Sequence, residues 1–267
     1  MVGRRGSRQK LMGNHQRCWL WGRHAVLETL RARRWQPMEI VLAEGRDEDE
    51  QREIAERAAD WQIPVYEESS AKLTSLCRAE EHQGVIARMP PFPYLSLDEI
   101  IAPHAAGVPR FLVALDRIQD PYNFGAMLRS AEVFGADAVL VGSTAQAEVN
   151  SLVARSSVGA VNHVRLARND SLPDGLKRLK QAGIIVAGAA AEGSKRVDQC
   201  DLNQPIVIVM GNEGVGLSPT VTAVCDFCVA IPQSGQVGSL NAAVAAGILL
   251  YEVHRQRHVA DRSAIRT

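Results

Sequence analysis

The chain has 267 residues, 46% of them hydrophobic and 22% charged, which is enough to bury a core in one or two domains. Thirty Lys and Arg against thirty Asp and Glu give a formal net charge of zero, which by itself argues against a general nucleic-acid binder. No apolar run approaches the length of a membrane span, and no signal-peptide core follows the N-terminal arginines, so neither a membrane protein nor a secreted one is expected.

The zero hides an uneven distribution. Residues 1–36 carry nine basic side chains and one acid, Glu28, whereas residues 39–60 carry nine acids against Arg46, Arg52 and Arg57. Residues 1–17 read as a basic flexible arm, able to attract phosphate or simply solvated. The first 20 residues are free of acids, as in a mitochondrial presequence. However, residues 1–17 offer only Val2, Leu11 and Met12 as sizeable apolar groups, a poor amphipathic face, so a cytoplasmic protein is expected. The five cysteines (Cys18, Cys77, Cys200, Cys225, Cys228) fit reduced thiols, and Cys225-x-x-Cys228 lacks the second pair a zinc site would want.

Helices are predicted over 24–34 and 48–61, with short strands at 39–42 and 84–88. Three prolines then fall within residues 90–93, which predicts an extended linker over 89–109. From about Arg110 the pattern repeats. Strand-length apolar runs at 111–115, 138–141, 184–187, 206–210 and 227–231 alternate with helical stretches at 124–134, 149–158, 172–181, 218–224 and 240–254. Continuous Val/Ile/Leu strands alternating with helices predict an α/β fold with a parallel sheet covered on both faces. Ligands bind such sheets beyond the carboxyl ends of the strands.

Three loops stand at those ends. The first holds Asp120, Asn123 and Gly125, followed one to two turns into a helix by Arg129. The second reads Gly211-Asn212-Glu213-Gly214-Val215-Gly216-Leu217, three glycines whose amides can contact a ligand. Its spacing matches neither a dinucleotide fingerprint nor a phosphate-binding P-loop, which makes a nicotinamide-dependent enzyme a poor reading. The third runs from Ile231 through Gly235 and Ser239 to Leu240 and Asn241, ahead of a long apolar helix. His254 and His258, one turn apart, suggest a metal pair with no third ligand, so no metal is expected. Trp19 and Trp21 are open to core packing or to stacking on a flipped base.

In this order the motifs N-x-G-x-x-x-R, G-N-E-G-x-G-L and I-P-x-x-G-x-x-x-S-L-N resemble those of the SpoU family of RNA ribose 2′-O-methyltransferases, over about residues 110–255. Residues 21–28 and His82-Gln83-Gly84-Val85 are similar to the substrate-binding domain of the subgroup that methylates a guanosine of 23S rRNA, a domain that resembles ribosomal protein L30e. The resemblance implies a SPOUT-type parallel sheet with a C-terminal trefoil knot. It implies five segments: the arm, an L30e-like RNA-binding domain over 18–88, the linker, a methyltransferase domain over 110–257 and a tail over 258–267.

It further implies S-adenosylmethionine as cofactor, held by Gly211, Gly216, Ile231, Gly235 and Leu240, and a homodimer. Arg129 would be the general base, or a cation that clamps the adjacent phosphate, since a guanidinium holds its proton to above about pH 12. Asn123 would orient Arg129 or the ribose, Glu213 would hold the arginine or the RNA, and Ser239 and Asn241 would complete the site. In-line positioning of hydroxyl and methyl supplies about 7–11 kcal/mol of such a barrier. Gln233 and Asn212 depart from residues common in the family. Methylation of tRNA or of another rRNA nucleoside, and a non-catalytic ribosome-assembly protein, are the alternatives.

Overall fold

A computed structural model of the protein describes residues 18–45, 48–102, 110–193, 195–236 and 238–264. The expected basic arm, part of the expected linker and the last three residues lie outside them. The chain divides into two units, Met1–Pro93 with Val149–Asn162, and Tyr94–Glu148 with His163–Thr267.

In the first unit the chain runs β1 (Trp19–Trp21), α1 (Arg23–Ala32), β2 (Glu39–Ala43), α2 (Glu48–Asp60), β3 (Val65–Glu68), α3 (Ser70–Cys77) and β4 (Val85–Arg88). The sheet order is β1-β4-β2-β3, with only the β2–β3 pair parallel. Helix α1 buries Val26, Leu27 and Leu30, an i, i+1, i+4 stripe. Before β4, His82 Nδ1 accepts the Gly84 N–H at 2.9 Å. Gln83 and Gly84 both turn through positive φ there.

The charge blocks noted in the sequence meet here. Arg31 pairs with Glu53 at 2.8 Å and Arg33 with Asp60 at 3.1 Å, so part of the basic region is neutralised by the acidic helix. These pairs are exposed and contribute little stability. The proline-rich stretch forms no helix or strand over 89–94 but is anchored, and the rest of the expected linker is not a plain extended segment, since Leu97–Ile101 is a helix capped by Ser96 that buries Leu97 and Ile100. Met89 and Phe92 are buried, the Trp35 and Phe92 rings meet edge to face at 5.3 Å, and Trp35 Nε1 donates to the Pro90 carbonyl. The segment 149–162, which forms α6 (Ser151–Ser156), also belongs to this unit, where Asn162 Nδ2 donates to Thr29 Oγ1 at 3.2 Å.

The second unit contains α4 (Leu97–Ile101), β5 (Phe111–Leu115), α5 (Pro121–Val133), β6 (Ala138–Gly142), β7 (Leu166–Asn169), α7 (Leu172–Gln181), β8 (Ile185–Ala189), β9 (Lys195–Arg196), β10 (Ile206–Met210), α8 (Pro219–Thr222), β11 (Phe227–Ala230) and α9 (Ala242–Ala264). Its seven strands are all parallel, in the order β7-β6-β5-β10-β8-β11-β9. The five apolar runs are all strands of this sheet. Edge strands β7 and β9 escape the sequence pattern because Leu166-Ala167-Arg168-Asn169 and Lys195-Arg196 lack a continuous apolar run.

Burial explains the hydrophobic pattern. Every residue of β5, β6 and β10 is buried. Helix α7 sets Leu172, Leu176 and Leu179 against Leu112, Leu140, Val186 and Val207 of the sheet. Each such leucine contributes about 1.5–3 kcal/mol by leaving water. On α5, Phe124, Met127, Leu128 and Ala131 are buried, as are Ala246, Leu249, Leu250 and Val253 on α9. Helix α9 runs to Ala264, well beyond the expected end at 254 and through most of the expected tail. Nothing after Gly247 breaks the helix, and Glu252 pairs with Arg255 and accepts from Gln256 one turn on. No described helix is long and apolar enough to cross a membrane.

Candidate active site

Strands β5 and β10 are neighbours, so the loops that follow them lie side by side. Strand β5 ends in Asp116 and Arg117. The Asp116 N–H donates to the Met210 carbonyl at 2.8 Å, and its buried Oδ2 accepts the Ser218 N–H at 2.6 Å. Arg117 takes φ +60, a left-handed backbone, and its guanidinium bonds Asp116 Oδ1 and the Gly216 carbonyl. The Asp116 backbone thus holds the start of the glycine-rich loop, and its carboxylate with the Arg117 guanidinium holds the end. Asp116→Ala is expected to cost about 1.5–3 kcal/mol in urea unfolding, because the half-buried Ser218 amide loses a charged acceptor; an unchanged midpoint would refute the pinning.

That loop is a hairpin closed between Asn212 and Gly216. Asn212 Oδ1 accepts the Gly214 and Val215 amides, while its Nδ2 donates to the Arg117 carbonyl and to Glu213 Oε2. A side-chain amide is needed for both jobs. Gly211 has a steric reason as well: a β-carbon there would overlap the backbone of Gly216 and Leu217.

Asn123 lies in the first turn of α5. The cap is Asp120, which accepts the Tyr122 N–H at 3.0 Å with Pro121 at the first helical position. Asn123 is thereby free to face the other loops. Its Nδ2 donates to Glu213 Oε1 and its Oδ1 accepts from Asn241 Nδ2, each at 3.1 Å. Asn241 Oδ1 caps α9 by accepting the Ala243 and Val244 amides. The chain Asn241–Asn123–Glu213–Asn212 thus ties the three strand-end loops together.

Arg129 sits on an exposed face of α5 and, among the described residues, its guanidinium has no hydrogen-bond or ion-pair partner. Asn123 and Glu213 hold one another rather than Arg129, so neither orients it as the sequence suggested.

Beside this network a cleft of about 450 Å³ opens between the loops after β8, β10 and β11. Gly211, Gly216, Ile231 and Leu240 line it, and so do Glu213 and Ser239; Gly235 does not. Asn123, Arg129 and Asn241 lie outside its wall. The sequence reading missed Ala189–Ala191 and Met210, which also line the cleft. Their only signal was position at the ends of apolar strands. Asp116 and Arg117, which hold the glycine-rich loop, belong to no motif in the sequence. Cys228 also lines the cleft, and burial, with help from Cys228 and Asp226, pushes the Cys225 thiol up to about 11. Among the described residues no group of His, Cys, Asp and Glu is placed to hold a metal, and His254 and His258 stack on one another with centroids 3.9 Å apart.

The sequence profile of the SpoU rRNA Methylase family matches residues 110–251, and that of the RNA 2′-O ribose methyltransferase substrate-binding domain matches residues 19–95. An uncharacterized tRNA/rRNA methyltransferase of Mycobacterium ulcerans is 40% identical over 88% of this chain and 76% of its own length. The SpoU methyltransferase AviRb of Streptomyces viridochromogenes, solved in complex with AdoMet, superposes with a TM-score of 0.76 at 27% identity, covering 90% of each chain. An AdoMet-bound rRNA methyltransferase of Sinorhizobium meliloti superposes with a TM-score of 0.77 at 26% identity, over 89% of this chain and 86% of that one.

Proposed function

The chain belongs to the SpoU rRNA methylase family, and we propose that it methylates the ribose 2′-hydroxyl of a guanosine in 23S rRNA. As a family member it is an RNA methyltransferase whose cofactor is S-adenosylmethionine. The observation that carries the reading is the cleft beside the Asn241–Asn123–Glu213 network. It is lined by residues with little or no side chain, Ala189, Ala190, Ala191, Gly211, Gly214 and Gly216, and by apolar Ile231, Leu217 and Leu240, and Gly211 leaves no room for a side chain. That suits a flat heterocycle met by main-chain groups, and it suits no metal. Gly211, Gly216, Ile231 and Leu240 would hold the cofactor. When bound, it supplies an electrophilic sulfonium methyl.

The chain's own residues do the rest. The hydrogen-bonded network keeps the loops in one arrangement, which fixes where the hydroxyl oxygen can lie. Arg129 places a positive charge beside the reacting ribose, favouring the alkoxide and holding the adjacent phosphate, while the proton leaves to solvent. Ser239 and Asn241 bound the same space. The first unit, with its substrate-binding profile and His82-Gln83-Gly84-Val85 turn, supports large-subunit rRNA as the target. Work on ribosomal RNA carries a cytoplasmic location with it.

Two further properties belong to this reading. A β-carbon at Gly193 would meet the backbone of Val229 and Ala230, far along the chain. Such a close crossing supports a chain threaded as a trefoil knot. The second property is a homodimer: Val244, Ile248 and Tyr251, spaced for one face of α9, are all exposed. Val244→Glu with Ile248→Glu is expected to turn a dimer into a monomer in sedimentation velocity and to lower methyl transfer at least tenfold; a wild-type monomer would sink the proposal.

The test of function is ribose-methylation mapping across rRNA and tRNA from cells with and without the protein. One 23S guanosine should lose its methyl group without it. A loss in tRNA, at another nucleoside, or nowhere overturns the assignment.

A further inference from the structure

The first unit holds a second cleft, of about 410 Å³, between the start of α1, the turn before β4 and the 154–159 segment. Trp21 forms one wall and is only 8% exposed. Arg155 lays its guanidinium over the Trp21 ring, 4.8 Å from the centroid, and pairs loosely with the exposed Glu81 at 3.5 Å. His24, Gln83 and Glu28 complete the polar lining, and Val158, exposed at a positive φ, offers an apolar lip. Among the described residues, Trp21 Nε1 is buried without a hydrogen-bond partner.

We infer that this cleft holds an unpaired guanine of the RNA substrate, stacked on Arg155 and read on its Watson–Crick edge by Glu81. The inference rests on the RNA methyltransferase reading above. Single-stranded RNA is recognised by splayed bases that stack on aromatic rings or arginine planes and are hydrogen-bonded at their edges. The Trp21–Arg155 pair is such a platform, with the arginine side chain still 35% exposed and open to a further layer.

Charge selects a base over a phosphate. Two carboxylates, Glu28 and Glu81, face one guanidinium, so an anion would be repelled, whereas an edge rich in donors is matched. Glu28 is committed to Arg31 at 2.8 Å, but Glu81 is 80% exposed and held only by its long contact to Arg155. Guanine presents two adjacent donors, N1–H and N2–H, which fit the two oxygens of one carboxylate. Uracil and adenine present one each.

The test uses the full chain and fluorescein-labelled RNA octamers of adenosine carrying one central G, C, U or A, read by fluorescence anisotropy. The G octamer should bind at least about tenfold tighter than the other three. Arg155→Lys keeps the charge but removes the plane, and should weaken the G octamer about tenfold; Glu81→Gln should erase the preference for G. Both residues are partly or largely exposed, so folding is not at risk, and S-adenosylmethionine affinity, measured in parallel, should not move. Equal binding of all four octamers, or full retention by Arg155→Lys, overturns the inference. No guanine-dependent binding in a preparation that still methylates RNA overturns this cleft alone. Absence of methyl transfer to any RNA overturns the reading beneath it, so the two failures are told apart.

Discussion

Arg129→Ala is expected to lower kcat for methyl transfer by at least about 10²–10⁴-fold, with the dissociation constant for S-adenosylmethionine within a few-fold of wild type. Arg129 stands on α5, outside the wall of the cofactor cleft, and its exposed guanidinium is not committed to another group among the described residues. Its charge is therefore available to the RNA. In the proposed function a cation there acts on the reacting ribose and its phosphate, so its loss should appear in the chemical step rather than in cofactor binding. Arg129→Lys separates the two roles the sequence left open. A charge-placing residue is partly replaced by an ammonium, which should recover at least about a tenth of the wild-type rate. A role that depends on the guanidinium's own nitrogen chemistry is not recovered at all. Single-turnover rates with rRNA, alongside calorimetric titration of the cofactor, decide the matter; retained turnover in the alanine variant would end both roles.

Gly211→Ala is expected to weaken S-adenosylmethionine at least about a hundredfold and to lower the urea midpoint. The glycine sits where β10 ends, and the added methyl would occupy the space of the Gly216 carbonyl group and the Leu217 amide. Those neighbours are backbone, pinned by Asp116 and Arg117, so they cannot yield as a flexible side chain would. The hairpin must open, and the cleft wall opens with it. Gly216→Ala is the control. It carries φ +67 but has nothing within 4 Å of an added β-carbon, so it should cost only the left-handed penalty of about 1–2 kcal/mol. Equal effects from the two substitutions would show that backbone conformation, not space, governs the loop.

Much of the architecture was legible because burial leaves a local trace. Phe111–Leu115 and Ile206–Met210 are apolar at every position, which only a strand covered on both faces requires. Helix ends were harder to place. Asp120 rather than Asn123 caps α5, and Asn241 rather than Ser239 caps α9, since several polar residues near a helix start compete for one role. Strand β7, with two polar residues in four, left no apolar run to find.

The candidate site was legible as residue types and not as a network. By itself the sequence determined the two-part composition, the parallel sheet and the three polar loops at its strand ends. Each of these follows from hydrophobic periodicity and turn chemistry within a few residues. Only the tertiary structure decided that Asn123 bonds Glu213 and Asn241, 90 and 118 positions away. It alone brought Asp116 to Ser218, 102 positions on, matched Arg31 to Glu53, and gave residues 149–162 to the first unit. The zero net charge thus reflects, in part, ion pairs inside one unit rather than indifference to nucleic acid. The reason is physical: periodicity records which face of an element is buried, but not which strand lies beside it. Parallel neighbours such as β5 and β10 are joined through long crossovers, and their pairing is fixed by packing of the whole sheet.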